Sequence, residues 1–231
     1  MNNSPSKEQL INQAIKFHSQ GNIIEATKCY QTFINNGYKD IRVFSNYGII
    51  LKNLGNLKEA ELYTRKAIKM EPLFANAYYN LGNILIDLGK FKEAELTYLQ
   101  AIKLNPNCAK SHYNLGNLFK NLGNLKEAKF SYFQAIKLDP LFANAYTNLG
   151  NLFIDIGNLK EAELYTRKAI ELNPNLAMAY SNLGSILRDV GNLKEAELSH
   201  RKAIEIDPLF ADAYYNLAGV LRDIGNLKEA E

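Results

Sequence analysis

The chain has 231 residues, and its 27 Lys and Arg side chains against 24 Asp and Glu leave a formal net charge of +3. That charge is too small for the basic footprint of a nucleic-acid-binding protein, so the composition predicts no nucleic-acid partner. Cys29 and Cys108 belong to no Cys-x-x-Cys or Cys/His cluster, which signals neither a disulfide framework nor a zinc site and favours a reducing, cytoplasmic location.

Residues 1–6 form an N-terminal leader ahead of the first predicted helix. The leader has neither the basic segment nor the apolar stretch of a secretory signal. No part of the chain approaches the roughly 18 consecutive apolar residues that indicate a membrane span. The sequence therefore predicts no export signal and no membrane partner.

Prolines mark an internal repeat in the remainder of the chain. Pro72, Pro106, Pro140, Pro174 and Pro208 follow one another at intervals of 34 residues, and a period of about 20 to 50 residues is typical of solenoids and propellers. With this proline at column 32 of a 34-residue unit, we expect a single array over residues 7–231. Its repeats, numbered 1 to 7, are residues 7–40, 41–74, 75–108, 109–142, 143–176, 177–210 and the partial repeat 211–231.

Each repeat is predicted to form two helices, A and B. Columns 4, 7, 8, 11 and 14 carry the first apolar set at helical spacing, which predicts helix A. Column 15 is glycine in every repeat, and a glycine in the left-handed conformation is expected to end helix A there. A second apolar set at columns 17, 20, 24, 27, 28 and 30 predicts helix B, which ends before the proline because that residue disfavours helical geometry ahead of it.

Two columns hold small residues throughout the array. Column 8 is Gly or Ala in every repeat and column 20 is always Ala. Glycine inside a helix costs about 1 kcal/mol relative to alanine, so we expect close approach of helices A and B to compensate. Column 20 is the expected contact of column 8 across this interface.

These columns resemble the tetratricopeptide repeat, whose pattern has an aromatic, Leu-Gly, Tyr, Ala and a closing Pro at the same period. The chain departs from the pattern of this family in two ways: it has no Trp, and repeat 1 has Tyr38 in place of the proline. The resemblance implies an all-α fold, an α-solenoid in which antiparallel helix pairs form a right-handed superhelix whose concave surface is lined by helix A and holds extended peptides. In repeat 3 the signature positions are Tyr78, Leu81, Gly82, Leu85, Ala94, Tyr98, Ala101 and Pro106.

A row of asparagines lies on the side of helix A opposite its apolar columns. Column 6 is Asn in all seven repeats, starting at Asn12, and column 9 is Asn in three. The Asn amide both donates and accepts, so it can hold a peptide backbone without reading side chains. A similar row occurs in the tetratricopeptide arm of O-linked N-acetylglucosamine transferase, although Asn is common at this column of the family and duplication also copies it. The predicted peptide-binding residues are Asn46, Asn80, Asn83, Asn114, Asn117, Asn148, Asn151, Asn182 and Asn216.

Other columns of the same face vary between repeats. Columns 12 and 13 alternate between basic-polar and apolar-acidic pairs with a 68-residue period in repeats 2 to 5, and become Arg-Asp in repeats 6 and 7. This pattern suits either an extended ligand of mixed polar and apolar character or a solvated helix face, and we favour the solvated face. Column 5 holds Tyr79, Tyr113 and Tyr215, which suit either aromatic contacts to a ligand or the covering of a helix junction.

No catalytic constellation stands out from the repeated surface charge. The three histidines fall in unrelated columns, and no triad, metal-ligand set or phosphate-binding loop occurs, so we predict no enzyme activity, cofactor or metal for this chain. The leading prediction is a noncatalytic scaffold for a protein or peptide partner. Glu231 falls midway through a helix B, which leaves two alternatives: an arm of a larger enzyme with a catalytic domain after residue 231, and self-association through the terminal repeats.

Overall fold

The computed structural model describes residues 5–226 and 228, and this part of the chain contains thirteen α-helices and no strand. This confirms the all-α fold of stacked helix pairs. Helices of type A are α1 (Lys7–Ser19), α3 (Ile41–Asn53), α5 (Ala75–Asp87), α7 (Ala109–Asn121), α9 (Ala143–Asp155), α11 (Ala177–Asp189) and α13 (Ala211–Ile224). Helices of type B are α2 (Ile23–Asn35), α4 (Leu57–Met70), α6 (Phe91–Leu104), α8 (Leu125–Leu138), α10 (Leu159–Leu172) and α12 (Leu193–Ile206).

The glycine of column 15 follows helix A in every repeat, and in repeats 1–6 helix B begins two residues after it. All seven of these glycines have a positive φ, from 71° at Gly89 to 88° at Gly225. A side chain would be strained there, which is why glycine is required at the end of helix A. The predicted left-handed turn is confirmed.

The seam between consecutive repeats is a turn organised by column 31. The side chain of Asp139 accepts a hydrogen bond from the amide of Leu141 at 3.1 Å, and Asp207 accepts one from Leu209 at 3.0 Å. Asn173 does the same for Asn175. Asp and Asn form such turns readily because their short side chains reach the backbone two residues on. These bonds explain why Asp or Asn precedes the proline at most seams.

The column 8 glycine contacts the expected alanine of column 20 in repeats 2 and 5, where the carbonyl oxygens of Ala60 and Ala162 lie 3.4 and 3.3 Å from a Cβ placed on the glycine, but its nearest neighbour is the side chain of column 24. A Cβ placed on Gly82 would lie 2.5 Å from the ring of Tyr98, and one on Gly184 would lie 2.6 Å from the ring of His200. Both rings come from column 24, one turn after the alanine of column 20, because side chains on a helix lean back toward its N-terminus. The glycine therefore makes room for the column 24 side chain.

The chain forms two compact units, residues 1–107 and 108–231. Each helix A of repeats 1–6 packs mainly against helix B of its own repeat, and within each unit that helix B then packs against helix A of the next repeat. The column 20 alanines line these interfaces and are fully buried at Ala26, Ala60 and Ala162. Ala230, the column 20 residue of repeat 7, lies outside the described residues, as do residues 1–4 of the predicted leader. The description of residues 7–231 as one array stays a prediction.

Candidate functional site

The asparagines of columns 6 and 9 lie on helix A, and those of column 9 in repeats 3 and 4 also touch a tyrosine of helix B in the same repeat. Asn12 is exposed, whereas Asn46 and the later members of column 6 are half-buried. Half-burial leaves these amides within reach of a ligand while their surroundings restrict their orientation. The members nevertheless differ in the hydrogen bonds that they already make.

In the second unit, Asn148 links repeat 5 to repeat 4. Its side-chain Nδ2 donates to the hydroxyl of Tyr113 at 2.9 Å and to Oδ1 of Asn117 at 2.7 Å. The same Oδ1 of Asn117 also accepts from the hydroxyl of Tyr132 at 2.8 Å. An Asn amide nitrogen has two protons to donate, so both protons of Asn148 are used within the protein. Asn148 and Asn117 thus hold adjacent repeats together.

In the first unit, the tyrosine of column 24 makes the same contact. The hydroxyl of Tyr98 donates to Oδ1 of Asn83 at 2.6 Å, as that of Tyr132 does to Asn117. Burial raises the pKa of Tyr132 well above that of a free tyrosine, so its hydroxyl stays protonated and able to donate. The tyrosines of column 24 therefore orient the asparagines of column 9.

Asn182, in repeat 6, is different. Its Nδ2 is buried and has no hydrogen-bond partner among the described residues. Repeat 5 has Thr147 where repeat 4 has Tyr113, and the Thr147 hydroxyl donates to the carbonyl of Ala143 at 3.1 Å. Repeat 5 also has Thr166 where repeat 4 has Tyr132. A buried donor without an acceptor costs about 1 to 3 kcal/mol. An added carbonyl group would therefore stabilise Asn182 once rotation of its half-buried side chain brings Nδ2 to the surface.

Of the aromatic residues of column 5, one covers a helix junction and another is open to a ligand. The ring of Tyr113 lies 6.1 Å from that of Tyr132 and 4.8 Å from that of Phe142, so it covers a junction between helices. Tyr215 is instead 75% exposed. Tyr113 is thus a structural residue, and Tyr215 is an aromatic side chain available to a ligand.

Columns 12 and 13 form ion pairs between repeats, which the interpretation as a solvated face missed. Lys52 pairs with Asp87 at 2.9 Å, Lys120 with Asp155 at 3.0 Å, and Arg188 with Asp223 at 2.6 Å. Each pair joins column 12 of an even-numbered repeat to column 13 of the next. The 68-residue alternation therefore places opposite charges 35 residues apart, a spacing that was visible in the sequence.

Gly219 belongs to the same arrangement in repeat 7. It replaces the Asn of column 9, and a Cβ at this position would lie 2.9 Å from the guanidinium of Arg188. The missing side chain lets the larger Arg188 lie across helix α13 and reach Asp223. The ion pair thus accounts for glycine at column 9 of repeat 7, where repeats 3 to 5 have Asn.

We expect Lys120→Ala to lower the free energy of unfolding by only about 0.5 kcal/mol, because the pair with Asp155 is partly exposed. Denaturant titration at low and high salt measures the effect, which salt should reduce by screening the charges. The double variant Lys120→Ala with Asp155→Ala is the matched control for the pairing. An equal loss of stability in high salt would show that the aliphatic part of Lys120, and not its charge, stabilises the contact between repeats 4 and 5.

In the part of the chain that the structure describes, no group of three or more His, Cys, Asp or Glu side chains is arranged to hold a metal ion. Among the helices that the structure describes there, none is both long and apolar enough to span a membrane.

Family models described as tetratricopeptide repeat match most of the chain. Their ranges are 41–72, 63–95, 109–142, 143–176, 165–197 and 201–231, and a model described as TPR repeat matches 82–123. No curated protein sequence matches the chain.

Solved structures share the same fold. A tetratricopeptide repeat protein from Parabacteroides merdae superimposes with a TM-score of 0.78 at 19% identity, over 98% of this chain and 90% of that one. For the protein pilF of Pseudomonas aeruginosa the TM-score is 0.75 at 19% identity, with 82% and 86% covered. YrrB, described as a TPR protein with an unusual peptide-binding site, gives 0.62 at 25% identity over 81% of this chain and 97% of its own.

Proposed function

The chain belongs to the tetratricopeptide repeat family, and from that premise we propose that it is a noncatalytic scaffold that binds an extended peptide along helix A. The observation that carries this proposal is the buried, unpartnered Nδ2 of Asn182. After a rotation of the side chain that exposes Nδ2, a backbone carbonyl of a peptide is the acceptor that would satisfy it. The peptide-binding site described for YrrB supports the same class of ligand.

The charges of this face favour contact with the peptide backbone over recognition of charged side chains. In the second unit, Lys120 and Arg188 are paired with Asp155 and Asp223. The charges of these four residues largely cancel, so they attract charged ligand side chains only weakly. The amides of columns 6 and 9 remain as polar groups. Contacts of this kind are individually weak and sum when one ligand engages several of them together.

The asparagines are expected to contribute unequally. In Asn148, both Nδ2 protons are used inside the protein, which leaves its Oδ1 to accept from a ligand. Asn117 is the converse case, because its Oδ1 accepts twice and its Nδ2 remains to donate. Asn182 can donate without breaking a bond between repeats. We therefore place the principal peptide anchor at Asn182, with Asn148 and Asn117 as secondary contacts.

Binding to an array of random-sequence peptides tests the proposal. For peptides selected by the unmodified chain, Asn182→Ala is expected to weaken binding about 5-fold, the effect of one hydrogen bond. The matched control is Asn35→Ala, which truncates an exposed asparagine of a helix B, away from the helix A face. Asn182→Ala should not lower the melting temperature, because it removes an unsatisfied donor, whereas Asn148→Ala should lower it. Equal peptide affinity of the Asn182 and Asn35 variants would remove column 6 from the mechanism.

A further inference from the structure

A pocket of about 500 Å³ lies at the seam between repeats 1 and 2, in the first unit. It is bounded by the end of α2, the turn that follows it, the start of α3 and the last turns of α4. Tyr38, Phe44 and Met70 form much of its apolar wall, and Lys39, Lys66 and Lys69 are its basic residues. Tyr38 and Met70 are 36% and 46% exposed, so apolar surface is open to a ligand at this seam.

The pocket arises where repeat 1 departs from the other seams. Tyr38 occupies the column that holds proline at the later seams, and its ring packs 5.4 Å from that of Phe33. Gly37, with a φ of 74°, turns the chain just before it. Lys39 follows at a column where the other repeats have Leu or Asn. The aromatic wall and one of the lysines therefore come from residues particular to this seam.

The lysines of this pocket are not neutralised by the protein. No carboxylate of the described residues lies within ion-pair distance of Lys39, Lys66 or Lys69, all of which are exposed. Asp40, the next residue after Lys39, is hydrogen-bonded to Arg42 at 3.0 Å. The positive charge at the pocket is thus uncompensated.

Two later repeats provide an internal comparison. Column 26 is also Lys in repeats 5 and 6, but there it pairs with a Glu at column 29: Lys168 with Glu171 at 2.7 Å and Lys202 with Glu205 at 2.6 Å. In repeat 2 column 29 is Lys69, so a stabilising pair is replaced by two like charges. Like charges three residues apart on a helix are mildly destabilising. This arrangement lacks the ion pair of the later repeats and concentrates positive charge at the pocket.

We propose that this pocket is a second docking site, which takes a segment of a partner protein with an apolar side chain flanked by carboxylates. The apolar side chain enters between Tyr38, Phe44 and Met70, and the carboxylates pair with the lysines. The volume lies in the range of pockets that enclose small ligands and side chains. None of the lining residues belongs to columns 6 or 9, so the site is separate from the helix A face.

A protein segment fits better than an anionic membrane. Attraction to anionic lipid is typical of four to eight clustered Lys or Arg residues on a helix or beside a membrane span. Here three lysines surround a concavity, which receives a protruding group and does not itself insert. Lys66 in addition lies 4.6 Å above the ring of Tyr63 and 5.8 Å from that of Phe44, which holds its charge beside the aromatic wall.

The test uses the full chain and a fluorescein-labelled peptide, Asp-Glu-Leu-Phe-Glu-Asp, with fluorescence anisotropy as the readout. The double variant Lys66→Ala with Lys69→Ala is expected to weaken binding about 10-fold or more. Lys103→Ala with Lys137→Ala is the matched control: it removes two exposed lysines from column 29 of other repeats and should change the affinity less than 2-fold. A peptide in which serines replace Leu-Phe should also bind at least 10-fold more weakly.

Other outcomes overturn the proposal. Equal binding of the acidic peptide and of Lys-Lys-Leu-Phe-Lys-Lys would exclude recognition of carboxylates. Binding to phosphatidylserine vesicles that needs Lys66 and Lys69, without binding of the peptide, would identify a lipid surface instead. Asn182→Ala should leave binding of the acidic peptide intact, so failure of this site and failure of the helix A face are distinguishable.

Discussion

Replacing Gly116 by leucine is expected to lower the free energy of unfolding by about 3 kcal/mol, the upper part of the range for overpacked cores. A Cβ at this position would lie 2.8 Å from two ring carbons of Tyr132 and 3.3 Å from Cβ of Ser131. The ring cannot retreat easily, because Tyr132 is fully buried and its hydroxyl is bonded to Asn117. The substitution therefore separates α7 from α8 or expels the ring.

Denaturant titration and thermal melting measure this effect. Asn121→Leu, which adds the same side chain at an exposed position of α7, is the control and should change the stability by less than about 0.5 kcal/mol. In a Tyr132→Ala background the leucine should cost less, since the clashing ring is absent. Additive losses in the two backgrounds would contradict the packing of column 8 against column 24.

Acidification is expected to destabilise the chain through His200. This residue replaces the tyrosine of column 24, is fully buried, and has no partner for either ring nitrogen among the described residues. Burial, with a smaller contribution from the positive charge of Arg188, lowers the pKa of His200 from 6.5 to about 4. The unfolded chain therefore binds the proton more readily than the folded one, so stability falls as the pH drops below about 6.5 and levels off below about 4.

Between about pH 7 and pH 5 this linkage amounts to about 2 kcal/mol. Denaturant titrations at several pH values measure it, and His200→Phe is the control because it keeps a ring against Gly184 and cannot be protonated. The window lies above the acidic range in which carboxylates with a lowered pKa, such as that of Asp223, take up protons. Parallel pH dependences for the two chains would mean that His200 is charged in the folded state or is hydrated.

Much of the fold could be predicted from residues that act locally. The glycines of column 15 adopt the left-handed conformation because nearly every other residue would be strained there. The prolines of column 32 and the Asp or Asn before them define the seams through bonds that span two residues. Interactions this short in sequence depend little on tertiary context, which is why the helix pairs were predictable.

The contacts of the candidate site were less predictable. The sequence placed nine asparagines in two columns, but it could not distinguish Asn148, which holds repeats 4 and 5 together, from Asn182, whose amide nitrogen has no partner. The difference depends on whether the neighbouring repeat presents Tyr113 or Thr147 to the same point in space. The ion pairs between columns 12 and 13 were missed for a related reason, because partners 35 residues apart meet only when helices stack.

By itself, the sequence determined the 34-residue period, the two helices of each repeat and the columns that face away from the core, because these follow from backbone geometry and hydrophobic spacing. Only the tertiary structure decided which polar groups already have a partner, such as Lys120 with Asp155, and which do not, such as the amide nitrogen of Asn182. It also showed that Lys66 lies over an aromatic ring and is not paired with a carboxylate. Pairing depends on distances of a few ångströms between side chains of different repeats. Those distances cannot be read from the repeated sequence, although they decide where a ligand can bind.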